Sequence, residues 1–296
     1  MEYRVLGSTG FSVSVLGFGC MSLDSTAKEE GLRLIEEAIA AGINFFDTAD
    51  LYEKGENEKL VGQALKPYRK HIFLATKAGN QWRADGSGWD WNPRRDYILS
   101  CAEQSLKRLG TDYIDLYQLH GGTIEDDIDD TIDAFETLKQ QGKIREYGIS
   151  SIRPNVIGEY VNRSSIESVM LQYSLLDRRP EETVLPLLEE HHKGVLVRGA
   201  LAQGLLINKP AKEYLGHNVR DVQHLQQALK ELTSSYPPQQ MALQYVLQRP
   251  AVTSVVAGVR TSGQLKELLA AVKPVEPADL QQLSAVLLPL VYGQHR

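Results

Sequence analysis

The feature that most constrains this chain is a strict alternation. Short apolar, β-branched runs are each followed by a stretch whose apolar residues recur every three or four positions. Counted from Val15 there are eight such runs, at 15–19, 43–47, 72–76, 113–119, 144–149, 168–171, 195–197 and 253–257. Helical patterns follow at about 26–41, 56–65, 93–109, 128–141, 154–161, 181–191, 221–233 with 239–247, and 262–272. Gly42 supplies a left-handed stop, Pro67 ends the second helix and Pro93 opens the third. A helix after every strand forces successive strands to run parallel. Eight such units in 296 residues predict an α/β fold, a closed (β/α)8 TIM barrel, as one domain over residues 1–296. An open doubly wound sheet usually carries Gly-x-Gly-x-x-Gly after its first strand, and Gly17-Phe18-Gly19-Cys20-Met21-Ser22 lacks the third glycine. A hairpin over 3–14 is expected before the first strand, and an amphipathic helix from Pro277 after the last.

Charge and cysteine usage narrow the function. A net charge of −6 with mixed signs along the chain argues against a nucleic-acid or anionic-membrane partner. Cys20 and Cys101 are too few for a disulfide framework or a thiolate metal site, and His191-His192 has no third ligand near in sequence, so no metal is expected. No apolar run approaches the ~20 residues of a membrane span, and the first residues lack a secretory core. A cytoplasmic protein is expected, of an oligomeric state that composition does not fix.

In a strand alternate side chains share a face, so Ile43, Phe45 and Asp47 line up and place a carboxylate at the tip of an apolar row. The run at 72–76 leads into Lys77 and the run at 113–119 into His120, while Tyr52 follows Asp47 after a short polar turn. In a barrel these carboxyl ends form one rim, where reactive groups gather. A tyrosine is a weak acid at neutral pH, and a nearby cation is expected to lower its pKa. Lys77 would be that cation, Asp47 its counter-charge, and His120 a donor, neutral or charged, that holds a substrate oxygen beside Tyr52. Such a set protonates a developing alkoxide and needs a nicotinamide cofactor to supply the hydride. The stretch 79–93, rich in glycine and carrying Trp82, Trp89 and Trp91, reads as a loop over the strand end that either lines the substrate entrance or packs on itself.

These residues resemble the aldo-keto reductase superfamily, in its bacterial, NADPH-dependent type. The resemblance covers nearly the whole chain, through the stretches 16–19, 46–52, 75–77, 112–120, 142–145, 148–150, 173–178, 203–206 and 258–261 with Gln264 and Glu267. It implies NADPH-dependent reduction of small aldehydes or ketones, with Tyr52 as proton donor, Lys77 and Asp47 tuning it, and His120 orienting the substrate. It further implies that Ser150 and Ser151 hold the nicotinamide carboxamide, and that the chain from Leu201 through Gln203 and Gly204 to Leu205 wraps the pyrophosphate. Arg260 and Thr261 would meet the adenosine 2′-phosphate, Gln264 and Glu267 would flank the adenine, and Gly19, Cys20, Met21, Asp47, Gly199, Gly258 and Val259 would complete the cofactor site. Four positions depart from the family pattern. Ser151 replaces a commoner asparagine, Met170 stands where a glutamine is usual, with Gln172 two residues on as its substitute, Arg198 replaces a stacking aromatic, and Leu268 replaces an asparagine. Two other functions carry the same barrel: a slowly turning cofactor sensor resembling channel β-subunits, and an enzyme of phosphorylated substrates.

Overall fold

The computed structural model describes residues 1–232 and 235–296. An antiparallel hairpin, β1 (Tyr3–Val5) and β2 (Ser12–Ser14), comes first. The units β3 (Leu16–Gly19) with α1 (Lys28–Ala40) and β4 (Phe45–Asp47) with α2 (Glu56–Leu65) follow. Next, β5 (Phe73–Ala78) leads through β6 (Asn80–Trp82) and β7 (Trp89–Trp91) to α3 (Arg95–Leu109). Three further units are β8 (Ile114–Leu119) with α4 (Ile128–Gln140), β9 (Ile144–Ser150) with α5 (Pro154–Arg163), and β10 (Ser168–Gln172) with α6 (Val184–Glu190). The chain continues with β11 (Gly194–Arg198), α7 (Val219–Glu231), α8 (Pro238–Leu247), β12 (Val252–Gly258), α9 (Ser262–Ala271) and α10 (Pro277–Val286). The strands pair in parallel in the order β3-β4-β5-β8-β9-β10-β11-β12, and β12 returns to β3, so the sheet closes into the (β/α)8 barrel that the alternation requires.

Three details differ from the sequence expectation. The buried stripe of α1 is Gly31, Leu34, Ile35 and Ala38, rotated from Leu32, Ile35 and Ile39 because Gly31 lets the helix lean on Leu60 of α2: a Cβ there would lie 2.9 Å from Leu60 Cδ2. The stretch 79–93 is not all loop. Tryptophan pairs with tryptophan across β6 and β7 in the register Trp82↔Trp89, and Asn80 faces Trp91. The expected end of the seventh-unit helix at Thr233 lies outside the described residues, and α7 ends at Glu231.

The barrel interior explains where the site forms. Phe45, Ala75, Leu116, Met170, Leu196 and Val256, one from each of six strands, pack into an apolar plug, and the hairpin side chains Leu6, Phe11 and Val13 pack onto it from below. Side chains alternate, so the next inward position on each strand lies two residues on. Those positions are Asp47, Lys77, Gln118, Gln172, Arg198 and Gly258. The interior therefore changes from wholly apolar to polar and charged in one step, at the carboxyl end of the strands. Small residues make room where the plug is widest, as at Gly17, whose Cβ would sit 2.9 Å from the Phe45 ring.

Candidate active site

The polar layer centres on one buried ion pair. Lys77 Nζ lies 2.6 Å from Asp47 Oδ2, 2.8 Å from the Thr48 carbonyl and 3.5 Å from the Tyr52 hydroxyl. Lys77 and Asp47 are 1% and 3% exposed, so each charge depends on the other rather than on water. Gln118 Nε2 donates to the second Asp47 oxygen at 3.3 Å and fixes the carboxylate plane. Tyr52 reaches the ammonium because the chain turns sharply after β4. Glu53, Lys54 and Gly55 take φ of 49°, 55° and 90°, a left-handed run that reverses the backbone into α2. For the two non-glycine residues such a conformation costs on the order of 1 kcal/mol each.

Burial governs the electrostatics. It pulls Lys77 toward losing its proton, but Asp47 and the Tyr52 oxygen outweigh it and hold the lysine above its ordinary value as an ammonium. Burial also raises Asp47, with Lys77 offsetting only part of the cost. For Tyr52 the expectation of a lowered pKa is overturned: burial pushes the phenol up, and the pull of Lys77 does not reverse it. The resting hydroxyl is thus firmly protonated. Burial, then the charges of Lys77 and Arg198, push His120 down to about 3, which resolves its charge as neutral. Its Nδ1 is buried without a partner, and its ring meets that of Tyr52 edge-on with centroids 6.0 Å apart. The backbone beneath it is pinned, since His120 N–H donates to the Ala78 carbonyl at 2.7 Å and Asn80 Nδ2 donates to the His120 carbonyl at 3.0 Å.

A cavity of about 630 Å³ opens above these groups. Tyr52, Lys77 and His120 all face it, as do Ser150, Ser151 and Arg198. Trp89 and Trp91 of β7 also line it, whereas Trp82 packs on the Tyr52 turn, its indole N–H donating to the Leu51 carbonyl at 3.3 Å with Lys54 Nζ 5.0 Å over its ring. Trp91 is seated against Gly79 and Gly121, where a Cβ would lie 2.7 Å and 2.9 Å from its ring, and its N–H donates to Asp126. Met170 lines the cavity, but Gln172 does not. Gln172 donates to Asp177 and the Tyr214 hydroxyl and accepts from Arg198 Nη1 at 3.0 Å, so it positions Arg198.

Two clefts continue along the rim. One, of about 430 Å³, is bounded by Leu201, Gln203 and Gly204 on one side and by Arg260, Gln264 and Glu267 on the other, with Gly258 and Leu268 between. The other, about 480 Å³, runs from Arg260 to Met21, which also lines the Tyr52 cavity. Cys20, Leu205 and Val259 are buried in the core and line neither cleft. Burial keeps Cys20 a thiol. Gly19 lies in register with Asp47 and Gly258, at the seam where the barrel closes. Gly199 (φ 74°) turns the chain out of β11 beside Gln172. Thr261 caps α9, accepting from Gln264 N–H at 3.2 Å, and Gln264 Oε1 accepts from Arg260 N–H at 2.9 Å. Among the described residues the Arg260 guanidinium, which lines the first cleft, makes no ion pair. Sequence reasoning missed Gln118, Asn80 and Arg153, and offered Gln172 where the structure puts Met170 at the cavity. Gln118 was findable as the residue two before His120, hence on the same strand face, but Arg153 lies in the turn after β9 and gave no periodic signal.

Comparison with known proteins agrees with this geometry. The profile of the aldo/keto reductase family matches residues 15–287. An uncharacterized oxidoreductase, YqkF of Bacillus subtilis, is 48% identical over 307 aligned positions that cover all of both chains. The probable aldo-keto reductase 1 of Glycine max is 34% identical over 82% of this chain and 76% of that protein. Among solved structures, the holo form of aldo-keto reductase AKR11C1 from Bacillus halodurans superposes with a TM-score of 0.95 at 48% identity, over 100% of this chain and 99% of that one. With the barrel, the rim and these matches in place, the chain belongs to the aldo/keto reductase family.

Proposed function

We propose that the protein reduces small aldehydes and ketones to alcohols with NADPH, Tyr52 giving the proton. The observation that carries this reading is the Tyr52 hydroxyl held 3.5 Å from a buried ammonium, at the floor of an open cavity with a neutral imidazole beside it. The carbonyl oxygen is received between the phenol O–H and an imidazole N–H. His120 keeps its proton and only orients. As negative charge grows on that oxygen, the Tyr52 proton crosses to it, and Lys77 stabilises the phenolate left behind. Asp47 and the Thr48 carbonyl hold the ammonium still, so little reorganisation is needed at that moment. The high resting pKa of the phenol keeps the acid form loaded and places the whole of its activation on the developing charge.

A nicotinamide dinucleotide fits the rim. The cleft between 201–204 and 258–267 carries Arg260 just before α9, without an ion pair among the described residues, and it is lined by Gly204 and Gly258, packed so closely that a Cβ would sit 3.2 Å from Lys209 Cδ and 2.1 Å from Ser22 Oγ. When bound, NADPH supplies the hydride. Ser150, Ser151 and Arg198 would hold the nicotinamide, residues 199–205 and Gly258 the pyrophosphate, and Arg260 with Thr261 the 2′-phosphate, where a guanidinium binds two oxygens at once. Gln264 and Glu267 would flank the adenine. The test is a screen of carbonyls with NADPH and NADH, followed at the reduced-nicotinamide absorbance. Oxidation of NADPH that requires both carbonyl and Tyr52 supports the reading, and a flat trace with tight NADPH binding would replace it with the sensor.

A further inference from the structure

We infer that the carbonyl compounds this site reduces carry an oxyanion, a carboxylate or a phosphate, and that Arg153 receives it; the inference rests on the reductase reading above. Arginines in this protein are almost all paired. Among the described residues every one forms an ion pair with a carboxylate except Arg153, Arg198, Arg220 and Arg260. Two of those four, Arg153 and Arg198, line the one cavity that holds Tyr52 and His120.

Among the described residues no aspartate or glutamate lines this cavity. Three nearby carboxylates are engaged elsewhere: Asp47 with Lys77, Asp126 with the Trp91 indole and Thr123, and Asp177 with Arg179 and Gln172. Arg153 is half-buried in the turn between β9 and α5. Its Nη1 donates to the Gly122 carbonyl at 2.6 Å, which ties the guanidinium to the loop that carries His120. Among the described residues its other side-chain N–H groups make no hydrogen bond to the protein, so one edge of the planar fork is free. A fixed guanidinium without a counter-ion in a concave site binds an oxyanion in bidentate fashion. The remaining positive field comes from Arg198 and adds to that attraction.

The test compares three aromatic aldehydes of similar size with NADPH: 4-carboxybenzaldehyde, 4-formylphenyl phosphate and the neutral 4-formylbenzamide. Wild-type protein should favour the better of the two anions over the amide by at least about tenfold in kcat/KM, mostly through KM, and the order of the two anions identifies the head group. Arg153→Gln keeps an amide to donate to the Gly122 carbonyl but removes the charge. It should bring the anion-to-amide ratio close to one by slowing the anionic aldehydes alone. General damage to the site would lower all three aldehydes together and leave the ratio as it was. Equal kcat/KM for anion and amide in the wild type overturns the inference, and so does a preference that Arg153→Gln leaves unchanged. Failure to reduce any of the three with either NADPH or NADH overturns the reductase reading instead.

Discussion

Replacing Lys77 with methionine removes the ammonium and leaves the Asp47 carboxylate buried against an apolar side chain. The contact is 2.6 Å, worth about 6 kcal/mol at an effective dielectric of about 20, against which desolvation of both groups must be set. Breaking one side of such a buried pair costs about 3–5 kcal/mol, because the surviving charge has no partner. A domain of this size should then melt on the order of 10 °C lower at pH 7. The sign of the pH dependence is specific. In the variant, Asp47 holds its proton to higher pH in the folded state than in the unfolded chain, where it titrates near 4. Stability is therefore best preserved near and below pH ~4 and falls by up to about 1.4 kcal/mol for each pH unit above it, until the folded-state pKa is passed. Urea denaturation of wild type and Lys77→Met at pH 5, 6 and 7 measures this directly. Adding Asp47→Asn to Lys77→Met should recover much of the loss at pH 7 and flatten the pH dependence. A Lys77→Met loss that is the same at pH 5 and pH 7, or that Asp47→Asn does not relieve, would refute the electrostatic account.

Three further outcomes follow from the geometry. His120 sits near 3 in the folded protein and near 6.5 unfolded, so its contribution is present above about pH 6.5 and is lost as pH falls toward 3; His120→Gln should flatten the acid limb of stability, and kcat should show no imidazole step between pH 5 and 8. Arg260→Ala should weaken NADPH by about ten- to a hundredfold while moving NADH little, read by fluorescence titration, and equal weakening of both would remove the 2′-phosphate assignment. Gly121→Ala places a methyl against the Trp91 ring at a backbone φ of 146°, so it should cost about 1–3 kcal/mol and raise KM by loosening β7; a variant as stable as wild type would show that Trp91 is not held there.

The barrel and its rim were legible because both follow from periodicity. Alternation within strands put Asp47 on the Phe45 face and Lys77 on the Ala75 face, and the closed sheet carries both to one mouth. Gln118 obeys the same rule and escaped notice only because a glutamine in a strand suggests no chemistry by itself. What periodicity cannot see is depth. The rise in the Tyr52 pKa comes from burial at the barrel rim, a quantity no local pattern contains. The pairing of β6 with β7 was equally hidden, since each strand is only three residues long and sits in a glycine-rich stretch. The partners of Gln172 are another case, for Asp177 and Tyr214 reach it only after the chain has folded back. Arg153 shows the limit most clearly. Its meaning lies in lacking a carboxylate while nearly every other arginine has one, which only coordinates display.

If a phenol poised beside a buried ammonium delivers the proton, Tyr52→Phe should stop the reaction, because it deletes one oxygen and keeps the ring. NADPH binding and carbonyl reduction should be measured on the same preparation. The account predicts a dissociation constant for NADPH within a few-fold of wild type and reduction slowed by at least about a hundredfold. Reduction within a few-fold of wild type would contradict it.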